Sequence, residues 1–257
     1  MRRIISISAV LTLTLSLACL AFAQAASTAA PPKPTAPPEP EGMVKLFNGA
    51  DLTGWSGDPT LWSVKDGAIR AESTPEIPCK SNTFLIWKGG QPADFELRLS
   101  FRIDHGNSGV QYRSKHLVDH KDNKWVVAGY QAEVCNEPPN VGFLYHEKGR
   151  GSLVTVGNKV VIDENAKKTV ADKLGDRNEI AKTYKKSDWN DLVIICRGNH
   201  VQQFLNGIQT IDLIDNDPKD RCMSGIIALQ IHAGPPMVVE FKDIRLKEYP
   251  AEDKPAK

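Results

Sequence analysis

Asp94-Phe-Glu-Leu-Arg-Leu-Ser-Phe-Arg-Ile-Asp104 is the stretch that decides the fold. Phe95, Leu97, Leu99, Phe101 and Ile103 alternate with polar residues. Successive side chains of an extended chain point to opposite faces, so this is a strand with one face in a core and one wet. Comparable runs recur at residues 61–64, 68–72, 83–87, 109–113, 130–135, 142–145, 192–197, 201–205, 209–213, 225–232 and 237–247. Turn signals such as Asp66-Gly67 and Asn206-Gly207 separate them, and the second, between two alternating runs, predicts a type I′ hairpin. The pattern is that of an all-β sandwich of two antiparallel sheets. Residues 157–187, rich in Lys and Asp, read as an exposed insertion with a short helix over 171–183, and residues 116–124 as a charged loop.

The 257 residues carry 32 Lys+Arg against 31 Asp+Glu, and 41% are hydrophobic, which is enough for a core and too balanced in charge for a nucleic-acid reader. Residues 1–23 combine Arg2 and Arg3 with an apolar run diluted by Ser and Thr and an Ala21-Phe22-Ala23 terminus, the pattern of a cleaved secretory signal. A lipoprotein anchored at Cys19 is the minor alternative. Cleavage leaves a mature balance of −1, without affinity for a membrane surface, and the expected location is periplasmic or extracellular. Residues 24–42, with six Pro among Ala, Ser and Thr, predict a semi-rigid linker. The folded domain is expected over 43–249 and a polar tail over 250–257. Cys79, Cys135, Cys196 and Cys222 contain no C-x-x-C spacing, and both buried thiols and bridges are compatible with them.

Period 2 also sorts side chains by surface. With Val110 and Tyr112 in the core, Asn107, Gly109, Gln111 and Arg113 face the other way. Ala132 and Val134 in the core leave Gln131 and Glu133 opposite, and Ile227, Leu229 and Ile231 leave Ala228, Gln230 and His232 opposite. If these strands share a sheet, Arg113, Gln131, Glu133, Gln230 and His232 converge on a polar concave surface. Amides and guanidinium groups are suited to hold sugar hydroxyls, and Trp55, Trp62, Trp87 and Trp125 are candidates for stacking platforms.

The segments LFNGADLTGW (46–55), LWSVKDGAIRAE (61–72), DFELRLSFRI (94–103), GNSGVQYRS (106–114), GYQAEV (129–134), WNDLVIICRGNHVQQFLNG (189–207) and GIIALQIHAGPPMVVEFKDIRLK (225–247) resemble, in this order, the 3-keto-disaccharide hydrolase domain family. The resemblance runs from about Val44 to Lys247 and implies a concanavalin A-like jelly-roll fold. Many relatives show Glu then Gln where this chain has Gln131 and Glu133, so its acid sits two residues on, on the same strand face.

The resemblance also implies cleavage of an oligosaccharide or glycoside already oxidised to a ketone at ring carbon 3. Such a ketone acidifies the hydrogen on carbon 2, which permits β-elimination followed by hydration and needs a base, an enolate stabiliser and a proton donor. His232 is expected as the base, since imidazoles ordinarily titrate near neutrality, with Glu133 as its partner or the acid. Arg113 and Gln131 are assigned to the ketone or enolate, and Asn107, Tyr145, Arg150 and Gln230 to hydroxyls or the cleft wall. A sugar 3-dehydrogenase would supply the substrate. The alternatives are a lectin-like binding module and a conventional glycosidase pairing Glu133 with Glu147 or Asp104. No cofactor is expected, with a divalent cation at the ketone kept as an alternative. His105, His116 and His120, with Asp104 and Asp119, match no metal-binding spacing and are assigned no metal.

Overall fold

The computed structural model describes residues 35–250; the signal, Cys19 and the last residues of the tail lie outside the described residues. The first half of the domain supplies β1 (Val44–Lys45), β2 (Trp55–Ser56), β3 (Trp62–Lys65), β4 (Ala68–Ser73), β5 (Thr83–Trp87), β6 (Asp94–Ile103), β7 (Asn107–Leu117) and β8 (Val126–Cys135). The second half supplies β9 (Leu144–Glu147), β10 (Gly151–Val154), β11 (Asn158–Ile162), β12 (Lys168–Lys173), α1 (Arg177–Ala181), β13 (Asn190–Arg197), β14 (His200–Leu205), β15 (Ile208–Asp215), β16 (Ile226–Ile231) and β17 (Met237–Tyr249).

These strands form the two layers of a jelly roll. A ten-stranded sheet runs β12-β11-β15-β14-β13-β6-β17-β4-β3, with β1 on β17; a seven-stranded sheet runs β10-β9-β8-β7-β16-β5-β2. The alternation in β6 does what period 2 requires: Phe95, Leu97, Leu99, Phe101 and Ile103 all lie in the inter-sheet core, meeting Val110, Tyr112, Ala132, Leu229 and Ile231 of the other layer. Each such buried Phe or Leu is worth roughly 1.5–3 kcal/mol, and Phe95–Tyr112 makes an edge-to-face pair at 6.3 Å between centroids. Asn206 and Gly207 both take positive φ, 47° and 84°, the requirement of the type I′ turn that joins β14 to β15.

Three expectations are corrected. Pairing is antiparallel except between β11 and β15, which run parallel. The stretch read as an exposed insertion contributes β11, whose Val160 and Ile162 are buried; its charged neighbours hide a short alternating core strand. The helix expected over 171–183 is shorter: residues 168–173 are the edge strand β12, and α1 starts only where Asp176 caps it by accepting from Asn178 N and Glu179 N.

The end of the Pro-rich stretch is docked rather than free. Ala36 N–H donates to Gly207 O at 2.7 Å, Arg98 Nη2 donates to Pro37 O at 2.5 Å, and Arg245 pairs with Glu39. Proline's stiffness lowers the ordering entropy such a strap must overcome. All four described cysteines are free thiols; Cys135 and Cys196 are buried within strands, as side chains at core-facing positions.

Candidate functional site

β8 lies between β7 and β9, and the register sets Glu133 opposite Gly109, and Gln131 opposite both Gln111 and Tyr145. β16 adds Gln230 from the other side of β7, with Ala228 opposite Gln111. The outward positions of four strands thus form one polar face. Gln111 Nε2 donates to Gln131 Oε1 at 2.7 Å, and Gln131 Nε2 donates to Glu133 Oε2 at 3.0 Å. Asn107 Nδ2 donates to the other carboxylate oxygen, so amide dipoles from both neighbours hold Glu133 in one orientation.

Gly109 makes this chain of amides sterically feasible. A β-carbon there would lie 2.3 Å from Gln131 Cδ. Gly109→Ala is therefore expected to displace Gln131 and remove one stabiliser of the Glu133 carboxylate. The variant should stay folded, lose activity, and show its Glu133-controlled pH limb moved to higher pH; an unchanged pH–rate profile would contradict this reading.

A cavity of ≈390 Å³ opens over this end of the sheet, lined by Asn107, Glu133, Phe143 and His232 among others. His232 follows the last residue of β16 and is half-buried. Its Nδ1 lies 2.6 Å from Ala233 O. A carbonyl can only accept, so the neutral ring carries its proton on Nδ1 and presents Nε2 as the bare nitrogen. Glu147, two residues beyond Tyr145 on the same face of β9, is buried and close enough to couple electrostatically to both Glu133 and His232.

Burial dominates the electrostatics. It pushes Glu133 up to about 7, outweighing the opposing hydrogen bonds from Asn107 and Gln131, with the Glu147 charge adding to the rise. Glu147 is also raised by burial, against the pull of Lys148 and His232. At neutral pH Glu133 is therefore divided between acid and carboxylate. Because its folded-state pKa lies above the ordinary carboxylate value, its contribution to stability is complete below pH ~4.3 and disappears as pH rises through 7. Glu133→Gln is accordingly expected to raise the melting temperature at pH 8 relative to wild type while having little effect at pH 4; equal melting temperatures at pH 8 would show that Glu133 is not destabilised by burial.

Several sequence-predicted residues lie elsewhere. Arg113 is absent from the cleft: a β-bulge between Tyr112 and Lys115 sets two residues of β7 against one of β8, and Arg113 adopts a positive φ of 47°. Its side chain turns between the sheets, where it donates to Ala93 O at 2.8 Å, Gly198 O at 2.7 Å and Cys222 O at 3.2 Å and pairs with Asp94 at 3.1 Å. Ser114 takes the vacated face, donating to Gln111 Oε1 at 2.7 Å. Arg150 is also remote, held by Asp215 and by Asp217 at 3.1 Å near the Tyr130 hydroxyl. Tyr145 shares the face, edge-on to Phe143 at 6.3 Å. Gln230 is fully buried there, and its Oε1 has no hydrogen-bond partner among the described residues.

Trp55 and Trp62 belong to the core, and Trp87 packs against it. Trp125 instead covers a second apolar cluster, Phe84, Ile86, Val127 and Ala228, on the outer face of the seven-stranded sheet. Phe143 and Gly234 also line the cavity; neither carries a charge or a hydrogen-bonding side chain, so neither is legible as a site residue in the sequence. Among the described residues no group of three or more His, Cys, Asp or Glu is placed to hold a metal ion. His105 contacts Pro236 O, His116 contacts Lys124 O and His120 contacts Asp122, so the three imidazoles are dispersed.

No curated protein matches the chain. Among solved structures it is similar to two proteins of Parabacteroides distasonis ATCC 8503 described as candidate glycosyl hydrolases. One is 17% identical with TM-score 0.53, covering 82% of this chain and 95% of that one. The other is 20% identical with TM-score 0.52, covering 80% and 99%. A Bacillus subtilis protein of galectin-like fold is 11% identical with TM-score 0.50, covering 77% and 90%. These likenesses establish the fold. The family model of the 3-keto-alpha-glucoside-1,2-lyase-like domain matches residues 42–247. With the model spanning nearly all of the described domain, the chain belongs to the 3-keto-alpha-glucoside-1,2-lyase-like family.

Proposed function

We propose that the protein is an exported enzyme that cleaves 3-keto-glycosides in the cavity between Glu133 and His232. The observation that carries the reading is the pairing, in one ≈390 Å³ cavity, of an imidazole with a bare Nε2 and a carboxyl that burial holds half-protonated at neutral pH. These are the complementary states that proton transfer in both directions requires.

His232 Nε2 removes the proton on carbon 2, and the electrons of that bond flow to the ketone oxygen on carbon 3 as an enolate. The enolate collapses, forming the double bond between carbons 1 and 2 and expelling the glycosidic oxygen, which takes its proton from Glu133. Water then adds across that bond, its hydroxyl to carbon 1 and a proton to carbon 2, which restores the free 3-keto sugar. The net change is hydrolysis. With Arg113 buried elsewhere, a neutral amide rather than a guanidinium faces the developing oxyanion: Asn107, which lines the cavity and whose Nδ2 carries a second hydrogen beyond the one given to Glu133. Tyr145 and Phe143 supply the apolar wall for the ring.

The nearness of Glu133 to Glu147 favours a second reading, conventional hydrolysis by two carboxylates. Incubation with matched glucosides, oxidised and unoxidised at carbon 3, distinguishes the readings. Cleavage of the ketone alone supports elimination, cleavage of the unoxidised sugar supports the carboxylate pair, and binding without products leaves a lectin-like module. Chemistry also places a step upstream: an oxidation of the sugar's 3-hydroxyl, by a 3-dehydrogenase, must supply the substrate. Export rests on the amino-terminal pattern of residues 1–23.

A further inference from the structure

At the other end of β8 a separate cavity of ≈340 Å³ is walled by β7, by the turn after β9 and by residues 219–224. Lys115, Lys148, Lys219 and Arg221 all line it, against Asp220 as its one acidic residue. Among the described residues, of these cations only Lys148 has a carboxylate partner, Asp122 at 3.9 Å. The floor is polar. His146 is buried and accepts from Arg150 Nε at 3.3 Å through Nδ1, which leaves the proton of the neutral ring on Nε2. That Nε2 lies 3.7 Å from Cys222 Sγ, a weak contact. Gly149 closes over the ring so tightly that a β-carbon there would lie 2.4 Å from His146 Nε2.

Gathering like charges around one concavity is unfavourable unless something negative answers them, and a recess with low-dielectric walls focuses their field inward. Three arginines elsewhere on this chain do have acids beside them: Arg113 has Asp94, Arg150 has Asp215 and Asp217, and Arg70 has Glu72 and Glu240. At this cavity the exposed Lys115, Lys148 and Lys219 and the half-buried Arg221 share one concavity with Asp220. We infer that the cavity is an anion site, taking the oxyanion group of a small ligand, a carboxylate, sulfate or phosphate, between the Lys219–Arg221 side and Lys115, with the His146 N–H as the donor beneath. Oxyanions accept several charge-assisted hydrogen bonds at once, which water among these cations replaces poorly. The site shares no lining residue with the Glu133 cavity, so it stands whether or not that cavity is catalytic.

Isothermal titration of the full chain at low ionic strength, with sodium sulfate, inorganic phosphate, glucuronate and glucose as separate probes, tests it. At least one anion should bind at one per chain, glucose should not, and binding should weaken as salt rises. Which anion binds most tightly identifies the source of the oxyanion group. The double variant Lys219→Glu, Arg221→Glu should weaken that binding by roughly tenfold or more, the scale of one lost charge-assisted contact, while Lys219→Arg, Arg221→Lys largely retains it. The His146 ring resonances should shift on saturation. Turnover at the Glu133 cavity is expected to be the same in both variants. Absence of one-to-one anion binding, binding undiminished in the charge-reversed variant, or His146 resonances that do not move would each overturn the assignment.

Discussion

Glu133→Gln and His232→Ala are each expected to lower turnover of a 3-keto-glucoside by about 10²–10⁴-fold, the usual weight of a positioned acid or base. Glutamine keeps the size of Glu133 and much of its hydrogen bonding but cannot deliver a proton, so the loss should fall on kcat rather than on KM. Wild-type rates should decline on the alkaline side near pH 7, where the Glu133 acid is lost. Both variants should fold: His232 is half-buried at a strand end, and the Glu133 variant removes a charge that burial disfavours. Steady-state kinetics with circular dichroism as the folding control decides the matter. Wild-type turnover in both variants would remove these residues from the chemistry, and wild-type turnover in one would reassign that residue's role to Glu147, the other buried carboxyl on the face.

Arg113→Ala should cost about 3–5 kcal/mol of stability, the penalty for breaking a buried ion pair by deleting one partner. The guanidinium is fully enclosed, faces Asp94 across the sandwich and satisfies three backbone carbonyls from separate segments, at Ala93, Gly198 and Cys222. Removing it takes the guanidinium donors from those carbonyls and leaves the nearly buried Asp94 carboxylate with the Gly198 N–H at 2.9 Å but no countercharge. Arg113→Lys should recover little, because one ammonium cannot reach the positions of a planar fork. Urea unfolding monitored by tryptophan fluorescence reads the change; a midpoint indistinguishable from wild type would show that the guanidinium is not a structural tie. The contrast with Glu133→Gln is informative, since one substitution should abolish activity and preserve the fold while the other threatens the fold first.

The two arginines mark where strand patterning stops being sufficient. Alternation alone sets Gln131, Glu133 and Gln230 opposite the core because each sits in an uninterrupted strand; the strand order β8-β7-β16 is what joins them on one face. Arg113 obeys the same count up to Tyr112, after which one extra residue reverses the parity and exchanges it with Ser114. Nothing local to Tyr-Arg-Ser-Lys announces that bulge; it exists because Gly129 of β8 lets Ser114 approach to where a β-carbon would lie 2.4 Å from its Oγ. Arg150 went astray for a related reason. Its attraction to Asp215 and Asp217 joins residues 65 and 67 positions apart, a separation no periodicity encodes. The buried strand β11 was obscured by charged neighbours on both sides, which dominate a composition window wider than five residues.

Alternation along short segments was enough to establish an all-β sandwich, its core-facing residues, the Asn206-Gly207 hairpin and the outward direction of Gln131, Glu133 and Gln230, because side-chain direction in a strand follows from the geometry of adjacent peptides. The register that aligns Gly109 with Glu133, the bulge that withdraws Arg113, and the desolvation that brings Glu133 to about 7 belong to the folded molecule. They arise from contacts between segments distant along the chain, and the solvent a carboxyl loses depends on everything packed around it rather than on its neighbours in sequence.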